Sequence, residues 1–255
     1  MGGQVEEGWA KEGSKYRATV EYDGTDYYGF QVQPDRPTVQ GAIEAALGET
    51  AGEATRLLGA GRTDTGVHAL GQVISFRLAW RHSVLSLQRA LNSRLPADIV
   101  IRDLDQAAEG FHPRFSARSR AYRYTVLNQP LRSPMSRRFS HLVPGALDLS
   151  NMNEAAQVFV GRHDFGTFGN PTQGEITERH VLGATWTRSG SWLRFDVEAN
   201  GFLRRMVRTV VSALLAVGRG DLDKEGIAVL LAERDRAKCP PPALACGLCL
   251  MEVKY

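Results

Sequence analysis

The sequence predicts an α+β protein of two small units with mostly antiparallel sheets, and three observations carry that prediction. Segments of strand period and helix period alternate along the 255 residues instead of clustering by type. The order strand, helix, strand, helix, strand fills the first half and begins again in the second. Composition is that of an ordinary globular chain, 43% hydrophobic and 23% charged, so a core can form without disulfides or metals.

The opening MGGQVEEGWAKEGSK has no apolar signal core and reads as a polar tail over residues 1–15. Arg17 to Tyr22 alternates and ends in Asp23-Gly24, a strand running into a turn. Thr38 precedes Val39, Ile43, Ala46 and Leu47, a helical spacing with an N-cap in place. Gln72 to Leu78 reads as a strand, Ser83 opens a helix carrying Leu87, Leu91 and Leu95, and Asp98 to Leu104 as a third strand. The first unit spans residues 16–107 and the second 108–255, with the boundary near Gln106 to Gly110. In the second, Arg120 to Leu127 is a strand, and Ser150 caps a helix through Met152, Ala156 and Phe159 to Gly161. Leu182 to Thr187 and Trp192 to Glu198 form a hairpin around Ser189-Gly190. Phe202 to Val217 is a long helix, Asp223 caps another, and Leu248 to Tyr255 is a closing strand. The repeat is one of element order, not of residues.

No run approaches the ~20 apolar residues of a membrane span, and the expectation is a soluble, cytoplasmic protein. Cys239, Cys246 and Cys249 are an odd set that suits a reducing compartment. A closed zinc site needs a fourth ligand, which the neighbouring sequence lacks, so they read as three buried thiols and no metal is predicted. Net charge is only +3, but its distribution is uneven. Phe111 to Leu147 contains no Asp or Glu while holding Arg114, Arg118, Arg120, Arg123, Arg132, Arg137 and Arg138. Arg204, Arg205 and Arg208 form a second cluster. Solvated faces usually mix signs, so an acid-free stretch interleaved with Tyr122 and Tyr124 points to a polyanion, and among polyanions to nucleic acid.

The densest chemistry lies in GAGRTDTGVHA, Gly59 to Ala69, where glycines surround Arg62, Asp64 and His68 just before a strand. Asp64-Thr65-Gly66 matches the D-T-G of aspartic proteases, but those share a proton between two carboxylates, and Arg62 favours the ionised form. An aspartyl-phosphate site lacks an accompanying nucleotide loop. A carboxylate acting on a sugar or base within RNA suits the arginines and tyrosines. His68 reads as a catalytic base or as a hydrogen-bonded structural residue.

The chain resembles the tRNA pseudouridine synthase A family. The resemblance rests on YDGTDYYGFQVQP (Tyr22 to Pro34), TVQGAIEAAL (Thr38 to Leu47), GAGRTDTGVHA and GQVISF (Gly71 to Phe76). It continues through FHPRFSARSRAYRYTVLN (Phe111 to Asn128), HDFGTF (His163 to Phe168), NGFLRRMVRTVVSALLAVG (Asn200 to Gly218) and GLCLMEVKY (Gly247 to Tyr255). It implies an isomerase that converts uridine to pseudouridine at positions 38, 39 and 40 of the tRNA anticodon stem-loop, as a homodimer without cofactor. Its fold would be two ferredoxin-like units forming a central basic cleft. Asp64 matches the family's catalytic aspartate, Arg62 the arginine associated with base flipping, Tyr122 the tyrosine that stacks on the target base, and Arg208 the aspartate's partner. Arg118, Arg120, Arg137, Arg138, Arg204 and Arg205 are expected at phosphates, Arg204 and Arg208 sharing one helix face. The other reading of the same residues is a non-catalytic RNA-binding protein with the same basic cleft.

Overall fold

Alternation builds the first strand: β1 (Ser14–Tyr22) buries Tyr16, Ala18, Val20 and Tyr22 on one face. Ahead of α1 (Val39–Ala51), Thr38 is extended and accepts the Gly41 N–H at 3.2 Å, and Val39, Ile43, Ala46 and Leu47 form the buried stripe. The first half continues with β2 (Leu57–Gly59), β3 (His68–Leu78), α2 (Val84–Asn92) capped by Ser83, and β4 (Ile99–Gln106). The second half runs β5 (Ser119–Leu127), β6 (His141–Leu142), α3 (Leu149–Gln157), β7 (Gly161–Asp164), β8 (Glu178–Ser189) and β9 (Trp192–Ala199). It closes with α4 (Met206–Arg219), α5 (Lys224–Glu233) and β10 (Leu248–Lys254). These elements come from a computed structural model that describes residues 13–171 and 174–255.

The fold is α+β, and its strands make one sheet in the order β4-β1-β3-β10-β5-β9-β8-β7, with β2 also on β3 and β6 also on β5. Pairing is antiparallel except at β3–β10 and β5–β6. The C-terminal strand therefore joins the halves, antiparallel to β5 along most of its length but parallel to β3 through only Cys249↔His68 and Leu250↔Ala69. Gly71 lets the backbones meet there, because a Cβ at this position would collide with the Met251 carbonyl. So short a ladder contributes little. A single hydrophobic core extends across both halves, from Tyr16 through Phe76, Trp186 and Phe195 to Val253. At roughly 1.5–3 kcal/mol for each large apolar side chain fully buried, that core and not the ladder holds the halves together.

Several sequence expectations need correction. Residues 1–12 of the polar tail lie outside the described residues, while Ser14 and Lys15 belong to β1. Asp148, not Ser150, caps α3: its carboxylate accepts the Asn151 N–H at 3.0 Å, which places Ser150 inside the first turn. The helix expected from Phe202 begins only at Met206, because Arg205 adopts a left-handed conformation (φ 65°) that ends the preceding segment. Arg204 and Arg208 therefore do not share a helix face. Instead the Arg204 backbone pairs with Asn170. β3 starts at His68, four residues earlier than its alternation suggested, and Leu95 lies beyond the end of α2. The three cysteines are free and half-buried, not fully buried; burial pushes the Cys239 thiol up to about 11 and the Cys249 thiol up to about 12.

Candidate active site at the seam of the sheet

Two strands share one edge of β3 in succession. β2 pairs with residues Ile74 to Phe76, and β10 pairs with His68 and Ala69. The loop from Ala60 to Val67 leaves the sheet between them, so the seam itself aims it. Its first end is tied down twice: Ala60 N–H donates to Val73 O at 2.8 Å, and the fully buried Gln72 donates from Nε2 to Gly61 O at 2.7 Å. Thr63 is buried, its hydroxyl 2.7 Å from Tyr22 Oη and its carbonyl accepting the Phe30 N–H at 3.1 Å. Asp64 to Val67 closes as a β-turn, Val67 N–H to Asp64 O at 3.1 Å. Gly66 (φ 75°) occupies the third position, where type II turns demand a positive φ. Asp64 is the first residue of that turn.

The Asp64 carboxylate meets Arg208 from the first turn of α4. Arg208 Nη1 donates to Asp64 Oδ2 at 3.2 Å, with the two side chains only 17% and 24% exposed. Arg208 is itself fixed, because Nε donates to Ala243 O at 2.7 Å and the Ala243 N–H donates back to Arg208 O at 3.0 Å. The ion pair thus ties the glycine loop, α4 and the approach to β10 at one point.

Tyr122 on β5 is buried, with Phe202 edge-on to it at 5.1 Å and 84°. Burial pushes its phenol far above the usual tyrosine value; the Arg120 cation opposes the shift and the Asp64 charge adds to it. Arg120, two residues earlier on the same face of β5, was expected at phosphates. Here its fork is occupied by backbone: Nη2 donates to Ala60 O at 2.9 Å and Arg114 O at 2.8 Å, and Nη1 to Asn200 O at 3.0 Å. Burial lowers its pKa from the ordinary arginine value. Arg138 is likewise engaged, with Asp23 at 3.2 Å and Asp26 at 3.3 Å.

Arg62, Arg118, Arg204 and Arg205 are exposed, and their guanidinium groups make no hydrogen bond or ion pair among the described residues. Arg62 leaves the same loop as Asp64 but points outward. His68 is buried on β3, its Nδ1 accepting the Gly24 N–H at 3.0 Å and lying 3.1 Å from Asp23 Oδ1. Burial pushes its pKa down while Asp23 opposes, so a neutral structural ring suits this position better than a base. Sequence reasoning did not find Gln72, Ala243 or the bridging role of Arg120. The first two lack any local signature, since one is buried under the loop and the other acts through its backbone.

The site therefore combines a partly buried carboxylate, a fixed guanidinium and a buried tyrosine, with exposed Arg62 on the same loop. The family described as tRNA pseudouridine synthase matches residues 18–116 and 155–255, and the chain belongs to that family. It is 42% identical over 237 residues to the tRNA pseudouridine synthase A of Geotalea uraniireducens, covering 92% of this chain and 97% of that protein. The corresponding protein of Moorella thermoacetica is 44% identical over 244 residues, 94% of this chain and 98% of its own. That of Neisseria meningitidis is 40% identical over 243 residues, 94% and 92% respectively.

Proposed function

We propose that this enzyme isomerises uridine to pseudouridine at positions 38, 39 and 40 of the tRNA anticodon stem-loop, with Asp64 as the nucleophile. The observation that carries the reading is the Asp64–Arg208 pair at the seam. A protein that only bound RNA would gain nothing from a partly exposed carboxylate among its arginines. The reaction breaks N1–C1′, turns the uracil, forms C5–C1′ and moves the C5 proton away while N1 regains one. Bonds and electrons balance without a cofactor. Attack at C6, attack at C1′ and elimination to a glycal all use the same carboxylate, and Arg208 holds it in place through one hydrogen bond.

A stacked uracil must first leave the helix, at a cost of a few kcal/mol. Stacking on an aromatic ring returns roughly 1–3 kcal/mol, which is the role assigned to Tyr122. Exposed Arg62 is suited to the space the base leaves behind, and Arg118, Arg204 and Arg205 to phosphates. Arg120 moves in this reading from a phosphate contact to a support of the loop.

Two ferredoxin-like units, divided near residue 107, account for the topology. The first half runs β1-α1-β2-β3-α2-β4, and the second, with the short β6 and β7 and the helix α5 set aside as additions, gives the same β-α-β-β-α-β order as β5-α3-β8-β9-α4-β10. The strand orders β4-β1-β3-β2 and β10-β5-β9-β8 follow the same pattern. A basic cleft would lie along their junction. The reading includes a cytoplasmic homodimer. Leu131, Met135 and Phe139 are 77%, 90% and 52% exposed on one excursion of the chain, an apolar surface of the kind a second copy covers. Among the described residues no helix is long and apolar enough to cross a membrane.

The test is to incubate the protein with uridine-containing tRNA, without added metal or cofactor, and to map pseudouridine. Asp64→Asn should retain tRNA affinity and lose product at least about 10³-fold, because an amide is a far poorer nucleophile. Turnover near wild type in the Asn variant would remove Asp64 from the chemistry.

A further inference from the structure

The loop between β4 and β5 holds an aromatic ring in solvent by construction. Phe115 is 73% exposed, yet the turn that carries it is closely hydrogen-bonded. His112 N–H donates to Ser116 Oγ at 3.0 Å, and Ser116 N–H donates to His112 O at 2.9 Å. His112 Nδ1 accepts the N–H groups of Arg114 and Phe115 at 3.0 and 3.2 Å. Pro113 O accepts Tyr255 Oη–H at 2.9 Å, and Arg114 O accepts from Arg120. A turn fixed this way does not let its ring fold down onto the protein.

The setting favours a nucleobase as the ring's partner. The His112 ring lies 4.3 Å from the Phe115 ring, tilted by 37°, and the Arg114 guanidinium carbon lies 5.5 Å from its centroid. Exposed Arg118 follows within the stretch that contains no acidic residue. One Arg120 nitrogen bonds both Arg114 O and Ala60 O, so this turn stands against the base of the Asp64 loop. A flat ring amid cations, beside a site that takes RNA, matches the aromatic-plus-cation pattern by which proteins hold single-stranded bases.

We propose that Phe115 is a stacking platform for an unpaired base of the bound RNA, distinct from the target uridine and close to it in the same strand. The proposal rests on the tRNA reading above. Phe115→Ala should raise the Kd and KM for an anticodon stem-loop roughly 5- to 150-fold, the stacking range for one base, with the loss falling in KM more than in kcat. Phe115→Trp and Phe115→Tyr should restore binding, while Phe115→Leu, apolar but not flat, should not. The salt dependence of binding should keep its slope, because no phosphate contact is lost. A stem-loop carrying 2-aminopurine in the unpaired loop should be quenched by the wild type and not by Phe115→Ala. Unchanged affinity in Phe115→Ala, or full rescue by Leu, would overturn the platform. So would a change of oligomeric state in light scattering, which would assign the ring to a second copy. The quenching measurement needs no turnover, so absence of pseudouridine in the wild type would refute the enzymatic reading alone.

Discussion

At the seam of the sheet, Arg208, Arg120 and Arg138 are bound to carboxylates or backbone carbonyls. At the rim, Arg62, Arg118, Arg204 and Arg205 stand free among the described residues. All carry the same charge, and in the sequence seam and rim arginines are neighbours: Arg118 is two residues from Arg120, and Arg205 three from Arg208. Their physical work differs because their settings do. A guanidinium held by partners fixes geometry, even at Arg138, whose side chain stays 42% exposed. An exposed one acts through a field that salt screens beyond about 8 Å at physiological strength. Counting arginines therefore overstates the surface available to a polyanion, since part of that charge holds the protein's own loops.

The strongest test of this division is Arg208→Met. It leaves Asp64 partly buried without its cation and frees the Ala243 carbonyl, so kcat should fall by 10²-fold or more, following the ~3 kcal/mol cost of breaking a buried pair. The salt slope of tRNA binding should stay at the wild-type value. A lowered slope with modest kcat loss would move Arg208 to the rim. Arg120→Gln should be milder, reducing kcat about tenfold through a loosened Asp64 loop, the ~1.5 kcal/mol at the low end for a single lost charged hydrogen bond. Arg120→Lys should not rescue it, because an ammonium cannot reproduce a planar fork that spans three carbonyls. A decrease of the log–log salt slope in either variant would break the comparison. Smallest are single changes of Arg118, Arg204 or Arg205 to Gln: each should lower the slope by about 0.7–0.9, weaken binding at low salt and leave single-turnover rates unchanged.

What could be read from the sequence was what short-range physics writes there. Thr38, Ser83 and Asp223 each cap the helix that follows, as their positions before apolar stripes implied. Alternation located most long strands, and the Asp64 loop stood out by its glycines flanking charged residues. The pairing of Asp64 with Arg208 came from family resemblance alone, because residues 144 apart leave no local trace of contact. The occupied state of Arg120 was hidden for the same reason: its partners Ala60 and Asn200 lie 60 residues before it and 80 after it in the chain. β2, β6 and β7 span three, two and four residues, too short for any period to register. Arg205 misled differently, since an arginine beside an apolar run reads as helix until its left-handed backbone is seen.

The position of β10 has a consequence for how the enzyme comes into being. The strand follows every other element in the chain, yet it lies in the middle of the sheet between β3 and β5. Its partner His68 is about 180 residues upstream, a separation that makes this pairing late and slow. During synthesis both halves can gather their local hairpins and helices, but β5 keeps an open edge, and β3 an open stretch at His68 and Ala69 beside β2, until β10 arrives. Ala243, which anchors Arg208, sits just ahead of that strand. Nascent chains should thus carry these unpaired stretches and an Asp64–Arg208 pair without its Ala243 anchor, and competence should appear abruptly when the final strand docks.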